Sequence, residues 1–365
     1  MLKSNDIEDI PENSYLTNNM KFKKEKNFTS IIIKRLEPKK DPKNTSLKCF
    51  MFIIFLILFF IVLLLIIFSL FSESSEDDNK IKICLCSIGK KENRYIKEFV
   101  TYYEKLGYNH IYLYDNNDID DEKFEDVIQD EIKKGFVSII NYRGYRGKEQ
   151  NPQFDAYEDC YEKNNKNYTW ISFFDCDEYL ELVPSNLKLK NFFDQEKFKL
   201  CEVIKLNWLL YKTKESLYYE NISLQKRMIT PLFGIRENKH IKSTVRGNLT
   251  PNYWSNTINP HTSINNFTTC SSSGMIINSS SPFIDQVEYQ YAYLKHYHFR
   301  SFEELCLKIK RGRPVPKYKE YRLIFLKSLI EENKNNTEKM NIIKRIFNST
   351  LNSFEFKYFS KFSMN

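Results

Sequence analysis

From Cys49 to Phe71 the sequence holds neither a charged residue nor a proline. At 1.5 Å of rise per residue, such a run exceeds the roughly 20 residues needed to span a bilayer core. Uniform apolarity on every face is foreign to soluble helices, which keep a polar side. A cleaved signal peptide has an apolar region of only about 7–15 residues close to the start, whereas 48 mostly polar residues come first here. The run therefore predicts one transmembrane helix at 49–71.

The flanks set its orientation. Lys34, Arg35, Lys39, Lys40, Lys43 and Lys48 precede the helix, and Glu73, Glu76, Asp77 and Asp78 follow it. Basic residues stay on the cytoplasmic side, so residues 1–48 read as a cytoplasmic tail. Residues 72–80 read as a short linker, and the bulk of the chain as lumenal or extracellular. The first 48 residues carry 11 Lys/Arg against 7 Asp/Glu, which leaves 44 against 40 beyond them. So small an excess makes no case for nucleic-acid binding.

Seven cysteines lie past the helix: Cys84, Cys86, Cys160, Cys176, Cys201, Cys270 and Cys306. In an oxidising compartment some should pair, and the odd count leaves at least one unpaired. None forms a Cys-x-x-Cys knuckle, which argues against structural zinc. Sequons at Asn167, Asn221, Asn248, Asn266, Asn278, Asn335 and Asn348 fit a secretory-pathway location.

Past the linker, strand and helix patterns alternate. Apolar strand-like runs occur at 81–88, 110–114, 136–140, 170–174 and 201–211, with helical periodicity at 92–106, 121–134 and 152–163. Gly107 stands where a left-handed C-terminal residue ends the first helix. Such alternation implies a mostly parallel α/β sheet with helices on both faces. Residues 212–295 read as irregular, and helical patterning returns at 301–311 and 317–333. The predicted layout is an α/β domain over 81–300 and a helical C-terminal extension over 301–365.

In open α/β sheets ligands bind beyond the carboxyl ends of the strands, and two acidic clusters sit there. Asp175 and Asp177 leave an apolar strand at alternate positions, where both carboxylates can converge on a hard divalent cation. A solvated acidic loop is the plainer account of the same residues. Asp115 and Asn116 end the neighbouring strand and could contact a base or ribose, although an Asx turn or a helix N-cap is the plainer account of them. Of five histidines, His296 or His261 could complete a mixed carboxylate/imidazole shell of the kind Mn2+ accepts. No dinucleotide Gly-x-Gly-x-x-Gly, phosphate loop or Gly-x-Ser-x-Gly elbow appears, which disfavours the enzyme classes built on them.

In this order the landmarks resemble glycosyltransferase family 92 and the related family-2-like transferases. The matching residues are Lys90-Lys91-Glu92, Tyr95-Ile96-x-Glu98-Phe99, Gly107, Tyr114-Asp115-Asn116, Gln153 with Ala156-Tyr157 and Cys160, and Asp175-Cys176-Asp177-Glu178-Tyr179. Further on come Lys242-Ser243, His261, His296-Tyr297, Arg300-Ser301-Phe302-Glu303-Glu304, Lys308 and Arg311-Gly312. The resemblance implies a GT-A-type fold, a nucleotide-sugar donor such as a UDP-sugar, a glycan acceptor on protein or lipid, and inversion at the anomeric carbon; galactose is the sugar it suggests. It also implies Mn2+ or a similar cation at Asp175, Asp177 and His296, with His261 as the alternative. Asp115, Asn116, Asp175, Lys242, Lys308 and Arg311 would then face the donor.

Two features depart from the family pattern. Lys91 stands where Asn is usual, and the segment from Trp208 to Glu215 lacks the expected glycines. Glu215 and Asp285 are candidates for the general base by position only. The sequence thus predicts a type II, Golgi-type membrane glycosyltransferase. The alternatives are a non-catalytic lumenal glycan- or nucleotide-binding relative and a metal-dependent phosphoesterase.

Overall fold

The computed structural model describes residues 42–76, 81–147, 151–212, 216–249, 267–278, 281–311, 330–331 and 333–350. They belong to two compact units, one ending at Glu76 and the other starting at Asp77.

The first unit is the helix α1 (Pro42–Glu76). Its Phe50–Ile67 window has a mean hydropathy of 3.7 and buries nothing within the protein. Among the described residues it alone is long and apolar enough to cross a membrane.

The second unit is built on a sheet. In chain order its elements are β1 (Ile83–Gly89), α2 (Asn93–Leu106), β2 (His110–Asp115), α3 (Gln129–Lys133), β3 (Val137–Asn141), α4 (Pro152–Asn164), β4 (Trp170–Phe173), β5 (Glu178–Leu182), α5 (Leu189–Phe193) and β6 (Val203–Lys212). After them come α6 (Leu224–Arg227), β7 (Thr230–Pro231), β8 (Ile241–Arg246), β9 (Thr269–Cys270), β10 (Ala292–Phe299), α7 (Phe302–Arg311) and α8 (Thr337–Thr350). The strand order is β3-β2-β1-β4-β8-β6-β10-β5, with β7 and β9 attached to β6.

The parallel expectation holds for one half of this sheet. β3, β2, β1 and β4 run parallel, whereas β8 is antiparallel to both β4 and β6, and β10 pairs parallel with β6 and antiparallel with β5. The sheet is mixed. The strand that breaks the pattern, β8, lies in the stretch expected to be irregular. Its Lys242-Ser243-Thr244 core reads as a loop by composition, yet all three residues are buried. The expected helix at 121–134 is likewise only a 3₁₀ turn at Phe124–Asp126 followed by the short α3. Most of 317–333 lies outside the described residues.

Alternation along β1 explains why helices cover both faces, because successive strand side chains point to opposite sides. Ile83 and Leu85 pack with the α2 face of Tyr95, Ile96, Phe99, Val100 and Tyr103. Cys84 and Cys86 pack with Ala156, Tyr157, Cys160 and Tyr161 of α4. Fully burying each large apolar side chain here contributes about 1.5–3 kcal/mol. Helix α2 ends as predicted, with Gly107 in the left-handed region at φ 103°.

Disulfides Cys86–Cys160 and Cys201–Cys270 tie α4 to β1 and β9 to the start of β6. Cys84, Cys176 and Cys306 are buried thiols that take part in neither disulfide. Helices α7 and α8 share a small apolar cluster of their own around Phe302, Cys306, Ile343 and Phe347.

Candidate active site

The turn from β4 to β5 carries both predicted aspartates at the carboxyl end of the parallel strands. Gly89, ending β1, lets this turn sit close: a Cβ there would fall 2.8 Å from Phe124 and 2.9 Å from the Cys176 sulfur. Two backbone bonds fix the turn. Glu178 N–H donates to the Asp175 carbonyl at 3.0 Å, and Tyr297 N–H on β10 donates to the Asp177 carbonyl at 2.9 Å.

The two carboxylates have different recorded partners in the fold, Lys242 and Gln153 for Asp175 and Lys308 and His296 for Asp177. Asp175 Oδ1 faces Lys242 Nζ at 2.8 Å and accepts from Gln153 Nε2 at 2.6 Å and Tyr157 OH at 3.3 Å. Lys242 is wholly buried, and its ammonium also lies 3.5 Å from the wholly buried Glu178 carboxylate. Burial opposes charge on Lys242, but Asp175 and Glu178 outweigh it and raise its pKa above the ordinary lysine value. For Glu178 burial dominates and pushes the carboxyl well above its usual range.

Asp177 turns to a different set. Its Oδ2 accepts from Lys308 Nζ at 2.7 Å, and its Oδ1 lies 3.6 Å from His296 Nε2. Burial alone would raise this carboxyl, yet the Lys308 ammonium and His296 hold it well below the usual range. His298 joins them: one donor atom each from Asp177, His296 and His298 lie within 4.8 Å of one another. Sequence reasoning missed His298, although residues two apart on a strand share a face. Such a set, a buried carboxylate and imidazole with a partly exposed second imidazole, has the donors a divalent cation needs. The Nδ1 of His296, buried and without a hydrogen-bond partner, is consistent with that use.

Basic residues line the neighbouring strand ends. Glu92 at the start of α2 pairs with Arg300 at 2.9 Å and Arg311 at 2.8 Å. A capping box starts α7: Ser301 N–H and Oγ–H donate to Glu304 Oε2 at 3.1 and 2.8 Å, and Glu304 N–H returns a bond to Ser301 Oγ. Spacings of four and three along α7 then put Glu304, Lys308 and Arg311 on one face.

Asp115 is held inside the fold. Arg143 pairs with its Oδ2 at 2.9 Å, and Asn117 donates to its Oδ1 through backbone and side chain. Arg143 also donates to the carbonyls of Asp118, Ile119, Asp121 and Glu122, which fastens that loop. Asn116 donates to the carbonyls of Tyr142 and Tyr145. Lys91, the departure from Asn, adopts φ 57°, a left-handed conformation that Asn tolerates well. Asp285 is exposed and pairs with Lys239 at 2.9 Å. Glu215 and His261 lie outside the described residues.

An aromatic row adjoins the Asp177 group. Phe283 packs at a tilt against His240, His240 against Trp208, and Trp208 against His296, with ring centres 4.1, 4.6 and 4.2 Å apart. Burial, and then the nearby His296, lowers the His240 pKa to about 4. Protonation therefore favours the unfolded chain, so this contribution to stability is present above pH 6.5 and is lost as pH falls toward 4. After discounting for solvent at the half-buried ring, the loss at pH 5 is about 1 kcal/mol. Thermal unfolding at pH 7 and pH 5 should show a smaller acid-induced drop in His240→Phe, which keeps an aromatic ring in the row, than in the wild type.

Comparisons with known proteins bear on this site. The model of glycosyltransferase family 92 matches residues 79–341. A family 92 protein of Oryza sativa subsp. japonica is 24% identical over 109 residues, covering 30% of this chain and 18% of that protein. One of Ricinus communis is 27% identical over 111 residues, covering 30% and 19%. The matched segment thus spans about a fifth of these curated relatives. Among solved structures, S. aureus TarS 1-349 in complex with UDP-GlcNAc is 10% identical with a TM-score of 0.33, covering 71% of this chain and 74% of that one. The mannosyltransferase PcManGT from Pyrobaculum calidifontis, in complex with GDP-Man and Mn2+, is 9% identical with a TM-score of 0.27, covering 36% of each chain. Likenesses this loose carry no argument.

Proposed function

This chain belongs to glycosyltransferase family 92, and from that premise we propose that it is a type II membrane enzyme moving a hexose from a UDP-sugar to a glycan on a lumenal protein or lipid. Galactose is the leading sugar, the Golgi the compartment, inversion the stereochemistry and GT-A the fold type. The observation that carries the reading is the meeting of Asp177, His296 and His298 with Lys308 beyond the carboxyl end of β4. Four parallel strands with helices on both faces support the fold assignment.

A divalent cation, Mn2+ or a similar ion, bound at this group would take up charge on the diphosphate as the glycosidic bond breaks. Asp177 and His296 would hold it. Lys308 and Arg311 would face the phosphates, where ammonium and guanidinium groups stabilise oxygen anions. Asp115 and Asn116, fixed by the Arg143 loop, would shape the nucleoside side, and Lys242 would hold Asp175 toward the donor. The acceptor hydroxyl needs a base, for which Glu215 and Asp285 remain the proposed residues; Asp285 would have to leave Lys239 to serve.

The full-length chain in detergent, given a panel of UDP-sugars and MnCl2, should release UDP from a UDP-hexose. Release of UMP instead would assign a phosphoesterase. Tight UDP binding with no release from any donor would assign a non-catalytic relative.

A further inference from the structure

We propose that Arg227, on the short helix α6, is a positioning residue: clasped with Tyr95 onto the Glu304 carboxylate, it sets where α7 holds Lys308 and Arg311 toward the donor phosphates. The inference rests on the preceding reading that those two residues face a UDP-sugar. It adds a residue that none of the sequence landmarks includes.

The clasp closes on one buried carboxylate. Glu304 Oε2 accepts from Arg227 Nη1 at 2.9 Å and from the Ser301 N–H and hydroxyl at 3.1 and 2.8 Å. Its Oε1 accepts from the Tyr95 hydroxyl. Arg227 is two-pronged here, because its Nη2 donates to that same Tyr95 oxygen at 2.8 Å. The side chains of Arg227 and Glu304 are only 2% and 5% exposed. Little water competes for these bonds, and a buried network of this kind fixes one geometry.

Three parts of the chain meet at the clasp: α6 brings Arg227, the first turn of α2 brings Tyr95, and α7 brings Glu304. Two further contacts brace them. Glu98 of α2 accepts from the N–H groups of Leu224 and Gln225 at 2.9 and 3.4 Å, which ties α6 to α2. Arg300, just before α7, sets its guanidinium 4.0 Å above the Tyr95 ring.

Glu304 leads directly to the site. Lys308 lies one turn further along the same face of α7, with Nζ 2.7 Å from Asp177 Oδ2. Arg311, at the far end, pairs with Glu92 at 2.8 Å. Helix α7 is thus held at both ends, by the Arg227 clasp and by Glu92, with Lys308 between them. Releasing the clasp lets the near end move, and a misplacement of about 1 Å in a group that grips the reacting partner can cost about 10²-fold.

The test uses the full-length chain in detergent and reads amide hydrogen exchange, denaturant unfolding and the kinetics of UDP release from a UDP-hexose with MnCl2. Arg227→Met alone leaves the Glu304 carboxylate uncompensated and should lower stability. Arg227→Met combined with Glu304→Gln removes both charges, so most of that stability should return. The fork onto Tyr95 is still missing, so in this double variant α7 amides should exchange about tenfold faster or more relative to those of β1. The KM for the UDP-hexose should stay raised by about tenfold with kcat within about threefold of wild type, since a grip on the diphosphate serves ground and transition states alike. Arg227→Lys, which keeps the charge without the planar fork, should fall between the double variant and wild type. A KM that returns to the wild-type value along with stability would make Arg227 a purely structural residue and overturn the proposal, as would unchanged α7 exchange in the double variant. Absence of UDP release from every donor in the wild type sinks the transferase reading alone, because α7 exchange still decides whether Arg227 places that helix.

Discussion

If the chain acts as the proposed UDP-sugar transferase, Asp177→Asn should lower UDP release by about 10³-fold, equivalent to about 4 kcal/mol of transition-state stabilisation. The substitution is nearly isosteric, so the loss tests charge. In the wild type Lys308 and His296 keep the Asp177 carboxyl ionised despite its burial, and the amide supplies no charge to a cation or to the ammonium. Lys308 would keep its bond to the His298 carbonyl at 3.2 Å but lose the Asp177 charge. Stability should fall as well, which separates two outcomes. A variant that stays folded by circular dichroism yet fails to release UDP supports the site, whereas a folded variant with less than about a tenfold loss removes Asp177 from the chemistry.

How far the site could be read from sequence depended on whether the signal was local. The apolar strand followed by Asp-Cys-Asp-Glu marked the turn correctly, because a buried run ending in carboxylates has one natural place in an α/β sheet. What the spacing could not settle was direction. Alternate positions suggested convergence of Asp175 and Asp177, but residues far along the chain decide where each carboxylate points: Lys242 and Gln153 for one, His296 and Lys308 for the other. Arg143 was invisible for the same reason. It lies in a turn after β3, and only the fold brings it against Asp115.

The fold was legible up to β4 and less so beyond it. The parallel half advertises itself through apolar strands between amphipathic helices, a pattern set by burial on both faces. In β8 the burial is polar: Ser172 and Thr244 share a 2.9 Å hydrogen bond across the β4–β8 pair, and Lys242 answers Asp175. A strand whose interior residues satisfy one another through side-chain bonds looks like a loop to any count of apolar residues. That same feature makes β8 the link between the sheet and the site.

Lys242→Met should accordingly be the most destabilising single substitution at the site, costing about 3–5 kcal/mol, because removing one partner of a buried pair leaves the other charge uncompensated. The lysine side chain is wholly buried, as is that of Glu178, while Asp175 is one-third exposed. Water can reach Asp175 but not Glu178. Glu178 already has its pKa raised by burial, with the Lys242 charge as the principal opposing influence, so losing that charge drives it further toward the neutral acid. Most of the strain should then relax through Glu178 taking up a proton, and the fall in stability as pH rises above the ordinary carboxyl range should extend to higher pH in Lys242→Met than in the wild type. Adding Glu178→Gln, which is neutral at every pH, should flatten that slope and restore part of the loss; adding Asp175→Asn should restore less. Denaturant unfolding of the full-length chain in detergent across pH measures this cycle. Equal rescue by both second substitutions would place the cost on the whole acidic turn rather than on the buried Glu178–Lys242 contact.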